Sequence, residues 1–483
     1  MAGQLELANL NLDRGSREPL PDQLVAAIES RIAAGVLAGG VRLPTTRDLA
    51  VSLAINRGTV QAAYRKLAER GLIVSRVGSG TVVRENSPVS VDFDPARLLS
   101  RRALEVTPEA AAAIAPPVIA DFSRLTPDER FFPLEEFVRT LSTALTRRPD
   151  LWQYAPPPGL PELRREIAGR LAEHGITRTP DEILVTSGAQ QALDLIFRTF
   201  TDPGDTVALE SPTYPGALAL ARFAGVEVLP LPVGAQGADA SALFGRRAKF
   251  VYVMPERQNP TGVTASDASR RAILDGAAAA GALVVEDGYE EPESGLSPLA
   301  ARDPSRTIWL GTLSKDLVPG FRIGWVAASA QVVDRLARIK KTADFQTPLP
   351  FQAAVAEFLR VGADRRARRN RALEVEARRI AAERALRTHL PEVAWSGGNI
   401  GDALFWLQLP PGVSGRRVSE AAAARGVGVA PGADFDPRGQ DCPNIRLSVS
   451  RVDKRQVETG IRVLADAVRL VQSQSGIRAM PVV

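Results

Sequence analysis

Cysteine and lysine are the scarce residues of this chain. A single cysteine, Cys442, in 483 residues excludes an internal disulfide framework and predicts a reducing compartment, the cytoplasm. No apolar run approaches the eighteen or so residues needed to cross a bilayer. The first twenty residues, MAGQLELANLNLDRGSREPL, lack the basic start and apolar stretch of a signal peptide. Neither a membrane partner nor a metal site is expected. With 45% apolar and 24% charged residues the chain has a globular composition, and its length predicts more than one domain. The net charge of +5 does not by itself mark a nucleic-acid binder, but residues 1–84 hold 11 Lys or Arg against 7 Asp or Glu, most of the excess.

Only six of the sixty basic residues are lysines. One of them, Lys315, stands in GTLSKDLVPGFRIGW (311–325), in a Ser-Lys step seven residues before Arg322. Arginine cannot do amine chemistry, because its guanidinium never loses a proton. A lysine in this setting is therefore a candidate for it.

Two kinds of periodicity divide the chain. In PDQLVAAIESRIAAGVL, Leu24, Ile28, Ile32 and Val36 recur at helical spacing. RLPTTRDLAVSLAINRGTVQAAYRKLAERGLI follows, with Thr45 or Thr46 placed to cap a short helix that carries Leu49 and Leu53. A tight turn leads to a second helix from about Arg57 to Arg70, burying Val60, Tyr64 and Leu67. LIVSRVGSGTVV then reads as a hairpin around Gly78-Ser79-Gly80. Helix, turn, helix and hairpin make a mainly α winged helix-turn-helix over residues 1–84. Arg57, Thr59, Gln61, Arg65 and Lys66 lie on the outer face of the second helix, the one that enters a major groove. Thr46 opens the shorter helix beside them. Arg42, Arg47, Arg76, Gly78 and Ser79 are placed to reach phosphates.

This segment resembles the DNA-binding domain of the GntR family of bacterial regulators. The resemblance implies operator contacts from Arg47, Asn56, Arg57, Thr59, Gln61 and Gly78. Gln61 replaces a residue that is often basic in that family.

Residues 85–119 carry several prolines and no sustained periodicity, and read as a linker. From residue 120 to 483 short apolar runs alternate with helical stretches, with a smaller C-terminal subdomain from about residue 340. EILVTSG, TVALESPTY, FVYVMPE, ALVVEDGY, TIWLGTLSK and GWVAAS are strand candidates. The alternation predicts an α/β fold with a mostly parallel sheet, in which ligands bind at the carboxyl ends of strands.

The polar clusters fall at those ends. TSGAQQALDL places Ser187, Gly188, Ala189 and Gln190 between a strand and a helix, where backbone N–H groups attract an anion. ESPTYPG offers Tyr214, QNPTG offers Asn259, and VVEDGYEE ends a strand on Asp287 and Tyr289. GTLSKDLVPGFR adds Thr312, Ser314, Lys315 and Arg322. A lysine that condenses with an aldehyde, an acid for a pyridine nitrogen and a cradle for a phosphate are together what pyridoxal 5'-phosphate requires.

Residues 121–470 resemble the fold-type I aminotransferases of class I/II. That resemblance assigns the internal aldimine to Lys315 and the pyridine nitrogen to Asp287. It gives the phenolic oxygen to Asn259 and Tyr289, and ring stacking to Tyr214. Ser187, Gly188, Ala189, Thr312 and Arg322 would hold the phosphate, joined by Tyr154 of a second protomer. Arg446, in NIRLSVS, would grip the α-carboxylate of an amino acid. Relatives carry a glycine before the FP step, where FSRLTPDERFFP has Leu125; either this side chain narrows the pocket or the correspondence slips by a residue.

A winged helix joined to such a domain is the architecture of the MocR/GabR subfamily of GntR regulators. It implies a cytoplasmic homodimer that binds operator DNA and senses an amino acid or amine through external aldimine formation at Lys315. An active aminotransferase with a DNA-binding head, and a sensor of the cofactor controlling its biosynthesis, are the alternatives.

Overall fold

Capping residues fix where the amino-terminal helices begin. The computed structural model describes residues 7, 10, 12–16, 18–76, 80–84, 94–105, 114–289, 294–315 and 317–474. The chain divides into two units, residues 1–99 and 100–483. In the first unit α1 (Leu20–Ala33) precedes α2 (Thr46–Ser52) and α3 (Arg57–Glu69). The Thr45 hydroxyl accepts from the Asp48 N–H at 3.2 Å, and Asn56 Oδ1 accepts from the Gly58 N–H at 2.7 Å. Each thus satisfies an amide that has no partner within its helix. Val60, Ala63 and Leu67 of α3 pack with Leu24 and Ile28 of α1 and Leu49 of α2 in one core.

An antiparallel hairpin follows, β1 (Ile73–Arg76) against β2 (Gly80–Val83), with Arg76 opposite Gly80. Gly80 has φ +79°, and a Cβ there would lie 2.8 Å from Arg42 Nε, so the close approach of Arg42 requires a glycine. Gly78 and Ser79, expected at the wing tip, lie outside the described residues, as does the side chain of Arg76.

The second unit is built on β3 (Ile183–Thr186), β4 (Thr206–Ser211), β5 (Glu227–Gly234), β6 (Gly237–Ala238), β7 (Phe250–Val253), β8 (Leu283–Gly288), β9 (Thr307–Thr312) and β10 (Gly324–Ala327). Their order in the sheet is β3-β10-β9-β8-β7-β4-β5-β6. The sheet is mixed: β10 runs antiparallel to both β9 and β3. Among the described residues of 313–323, which join β9 to β10, there is a short 3-10 turn at Pro319–Phe321 and no crossover helix. A parallel neighbour would need such a crossover. Lys315 sits on this connection.

Alternate residues of each strand face opposite layers. Leu184, Phe250, Val285 and Ile308 pack with Leu193 and Ile196 of α4 (Ala189–Phe200) and with Leu336 of α5 (Ala330–Ala343). Ile183, Val185, Trp309 and Trp325 face Ile167 and Phe358 on the other side. Beyond them α6 (Ala363–His389) and α7 (Lys454–Gln474) cover a four-stranded sheet. It comprises β11 (Ala394–Gly397), β12 (Leu404–Gln408), β13 (Ala430–Pro431) and β14 (Asn444–Ser448), in the order β11-β12-β14-β13.

Residues 114–119 are held on this second unit rather than free of it. The N–H groups of Ala115 and Ile119 each donate at 2.8 Å, to the carbonyls of Ala423 and Gly426. Ala120–Asp121 then pairs in parallel with Val427–Gly428. Among the described residues no helix is long and apolar enough to cross a membrane.

The buried Tyr64 hydroxyl donates to the Pro44 carbonyl at 2.9 Å, tying α3 to the entry of α2. Tyr64→Phe leaves that carbonyl without its partner and is expected to cost the head about 1–3 kcal/mol. Hydrogen exchange of the α3 amides in the whole chain reads this directly; unchanged protection would contradict it.

Candidate cofactor site and nucleic-acid interface

A cavity of about 830 Å³ opens between the loops that bear Tyr214, Asn259 and Lys315 and the residues of β13 and β14 in the C-terminal sheet. Tyr214, Asn259, Lys315 and Arg446 line it together with Leu125. β14 delivers Arg446, whose guanidinium donates to Asn259 Oδ1 at 2.9 Å and to the Ser123 carbonyl at 2.5 Å. It also stands 4.9 Å from the Phe435 ring centroid. Arg446 is therefore buried, charged and fixed in direction, as a fork for a carboxylate must be. The Lys315 ammonium donates to the Leu125 carbonyl. The backbone of Leu125 thus holds the lysine while its side chain forms a wall of the cavity.

Asp287 is the decisive group. It ends β8 at 7% exposure, and Tyr252 on β7 donates to its Oδ2 at 2.6 Å. Among the described residues its Oδ1 is buried with no hydrogen-bond partner. Burial pushes the carboxyl up to about 6, against the Tyr252 hydrogen bond and the Lys315 charge, which both hold it down. An orphaned buried oxygen of this kind is costly unless something that donates belongs beside it. A protonated pyridine nitrogen is such a donor.

The phosphate end fits as well. Gly188 precedes α4 with φ +88°, and a Cβ on it would lie 2.7 Å from an Arg322 guanidinium nitrogen. That nitrogen donates to the Ser187 carbonyl at 3.0 Å. Arg322 itself takes a left-handed φ of +51° to reach across the turn. The Thr312 hydroxyl, at the end of β9, donates to Ser314 Oγ at 3.1 Å. Backbone amides at the start of α4 and this arginine converge on one place, an arrangement that suits a phosphate dianion.

Two residues lie apart from their expected roles within a single chain. Tyr154 is 83% exposed and is not part of its own chain's cavity; its ring lies 5.8 Å from that of Phe345. The Tyr289 hydroxyl donates to the Arg257 carbonyl, bracing the loop that bears Asn259.

Tyr252, Glu210 and Gln258 support the site as well, the last two from within the ESPTYPG and QNPTG runs. Gln258 Nε2 donates to Glu210 Oε2 at 3.1 Å and to the Pro212 carbonyl at 2.7 Å, and its Oε1 accepts from Thr261. It therefore pins the turn that carries Asn259. Burial pushes the Glu210 carboxyl up to about 8, while bonds from Gln258 and the Met254 N–H hold it down. For Tyr252 the only signal in the sequence was that a tyrosine inside an apolar strand needs a partner for its hydroxyl.

On the head, Arg42, Arg47, Asn56, Arg57, Gln61 and Arg65 are exposed, while Thr46 and Thr59 are half-buried. Asn56 commits its side-chain oxygen to capping α3. Lys66 is turned inward instead, pairing with Asp22 of α1 at 2.5 Å, and Arg70 pairs with Glu29 at 2.6 Å. The basic residues of α3 thus divide between an intramolecular face and an outward one.

The family model for aminotransferase class I and II matches residues 125–464, and that for bacterial regulatory proteins of the gntR family matches residues 20–83. The chain is a class I/II aminotransferase-family protein of MocR type, with a GntR head. It is 31% identical over 434 residues to the uncharacterized HTH-type transcriptional regulator YdcR of Escherichia coli, spanning 86% of this chain and 91% of that protein. It is 32% identical over 366 residues to the probable rhizopine catabolism regulatory protein MocR of Rhizobium meliloti, spanning 73% of this chain and 74% of that one. Among solved structures, the α-aminoadipate aminotransferase LysN of Thermus thermophilus, complexed with N-(5'-phosphopyridoxyl)-L-leucine, superposes with a TM-score of 0.72 at 28% identity. The match covers 79% of this chain and 100% of LysN. Pyridoxal 5'-phosphate is the cofactor of this MocR-type chain, and the orphaned Asp287 oxygen suits a protonated ring nitrogen.

Tyr252→Phe tests the site. Loss of a donor to the ionised form moves the Asp287 carboxyl above 6. Only the ionised carboxylate holds a protonated ring nitrogen, so cofactor affinity falls as pH drops through the carboxyl's titration. The variant should begin to lose affinity at higher pH than the wild type. Identical pH profiles of cofactor binding would show that Tyr252 does not set this group.

Proposed function

We propose that this protein is a cytoplasmic, homodimeric transcriptional regulator that senses an amino acid or amine at the Lys315 cavity and reports it to operator DNA. The observation that carries the reading is one chain in which a GntR head precedes an aminotransferase class I/II domain.

Pyridoxal 5'-phosphate, when bound, supplies an aldehyde carbon that exchanges amines and a ring that accepts electrons. The chain's own residues do the rest. Lys315 provides the amine that an incoming ligand replaces. Asp287 would hold the ring nitrogen, Tyr214 would stack on the ring, and Asn259 and Tyr289 would serve its phenolic oxygen. Ser187, Gly188, Ala189, Thr312 and Arg322 hold the phosphate. Arg446 takes the ligand's carboxylate at a fixed angle and so selects α-amino acids over simple amines. Leu125 and Phe435 leave an apolar wall for the side chain.

Exposed aromatic residues on the larger unit, Trp152 at 64%, Tyr154 at 83% and Phe345 at 59%, support a second copy covering that face. In such a dimer Tyr154 would complete the partner's phosphate site. On the head, no ion pair among the described residues occupies Arg47, Arg57 or Arg65, which suits phosphate and base contacts. A ligand shifts the dimer only as far as it prefers one arrangement of the two chains over the other. The intact set of Asp287, Asn259, Lys315 and Arg446 also favours a second reading, an aminotransferase that still turns over.

A visible absorption spectrum of the purified dimer, titrated with amino acids, separates the two. A sensor gives a cofactor band that shifts with one amino acid and then persists, and that Lys315→Ala lacks. Bleaching with sustained release of keto acid would overturn the sensor reading in favour of the enzyme.

A further inference from the structure

Behind the phosphate-binding turn lies a buried charge for which the cavity has no use. Lys340, in the last turn of α5, is 0% exposed. Its ammonium donates to both carboxylate oxygens of Asp344, at 2.7 and 2.8 Å, and to Gln191 Oε1 at 3.2 Å. Gln191 Nε2 donates in turn to Asp344 Oδ2 at 2.6 Å. The same Gln191 Oε1 accepts from the Ser187 N–H at 2.7 Å.

A buried ion pair is poor evidence of stability. Desolvation offsets most of its attraction, and apolar residues of similar volume often do as well or better. Something else must favour this pair, and the glutamine supplies it. Either end of a carboxamide fits the same space, one as donor and the other as acceptor. Lys340 can only donate and the Asp344 carboxylate can only accept. Between them Gln191 has one satisfied orientation, with its oxygen toward Ser187 N–H. That bond sets the Ser187–Gly188 turn. The next amides, those of Gly188 and Ala189, begin α4 and have no partner within it. Their direction therefore depends on how the turn is held, and they are the groups that meet the phosphate. The Thr347 hydroxyl, 3.4 Å from Ser187 Oγ, approaches the same turn from the segment that Asp344 opens.

We propose that Lys340 and Asp344 are positioning residues that orient the Gln191 amide, and that Gln191 thereby aims the phosphate-binding backbone at Ser187–Ala189. The proposal rests on the cofactor site described above and adds to it three residues that touch neither ring nor ligand.

Three variants of the full-length protein test it, read by pyridoxal 5'-phosphate affinity and by the phosphorus NMR shift of the bound cofactor. Gln191→Met keeps the volume and leaves the Lys340–Asp344 pair intact. It should weaken affinity about tenfold and move the phosphorus resonance, with a lowered thermal midpoint because the Ser187 N–H loses its acceptor. Lys340→Met with Asp344→Leu removes both charges at once, so no lone ion stays buried. This chain should fold at least as stably as wild type and still bind the cofactor about tenfold more weakly. Gln191→Glu with Asp344→Asn exchanges carboxylate and amide, keeping an oxygen toward Ser187 and a partner for Lys340. It should restore both affinity and resonance. Wild-type affinity in the charge-free double variant would overturn the proposal, because a merely structural pair predicts that result. A wild-type protein that takes up no cofactor would instead refute the site itself.

Discussion

The burial of one carboxylate governs the larger unit. Asp287 sits at the end of a central strand, where water cannot solvate it, with one oxygen given to Tyr252 and the other left for something that donates. An ionised carboxylate survives there only beside positive charge or a strong donor. Lys315 supplies the first, from a connection that exists because β10 returns antiparallel beside β9 without a helix between them. A protonated ring nitrogen of the cofactor would supply the second. The rest of the site is arranged at set distances from that point. The start of α4 would receive the phosphate, and β14 carries Arg446 across from the smaller sheet to donate to Asn259.

That last bond bears on regulation. Arg446 belongs to the C-terminal sheet, whereas Asn259 and Lys315 sit on connections between strands of the large one. A ligand held at one end by Arg446 and at the other near Lys315 touches both sheets at once. Its binding free energy can therefore favour one setting of the smaller sheet over another, the only route by which a small molecule moves a protein equilibrium. Leu125 lies on this path, its carbonyl accepting from Lys315 while the residue lines the cavity.

Much of this was legible in the sequence because strand ends put chemistry next to turns. Ser187-Gly188, Tyr214, Asn259, Asp287 and Lys315 each follow a short apolar run, so a reader of periodicity meets them in order. In the head, Asn56 and Thr45 stand where helices must begin, and Val60 and Leu67 recur at helical spacing. What stayed hidden depends on contacts between distant segments. Tyr252 looks like any strand residue until Asp287 is placed opposite it. Gln191 comes from α4, whereas Lys340 comes from α5 and Asp344 from the residue that ends it, so Gln191 and Asp344 lie 153 residues apart. β5 carries Pro230 and Pro232, which argue against a strand; next to it on the outer side lies only the two-residue β6, so the missing amides matter less. The antiparallel course of β10 follows from the absence of a crossover helix, which apolar alternation alone does not reveal. Lys66, exposed by helical spacing, is drawn to Asp22 by a helix packed beside it.

The most direct measurement is the affinity of the cofactor-loaded protein for an operator duplex selected from a random pool, with and without each amino acid. The account predicts that one amino acid changes that affinity by roughly tenfold in the wild type, and that Lys315→Ala abolishes the response without abolishing DNA binding. Affinity indifferent to every amino acid, in a protein that binds both cofactor and DNA, would contradict it.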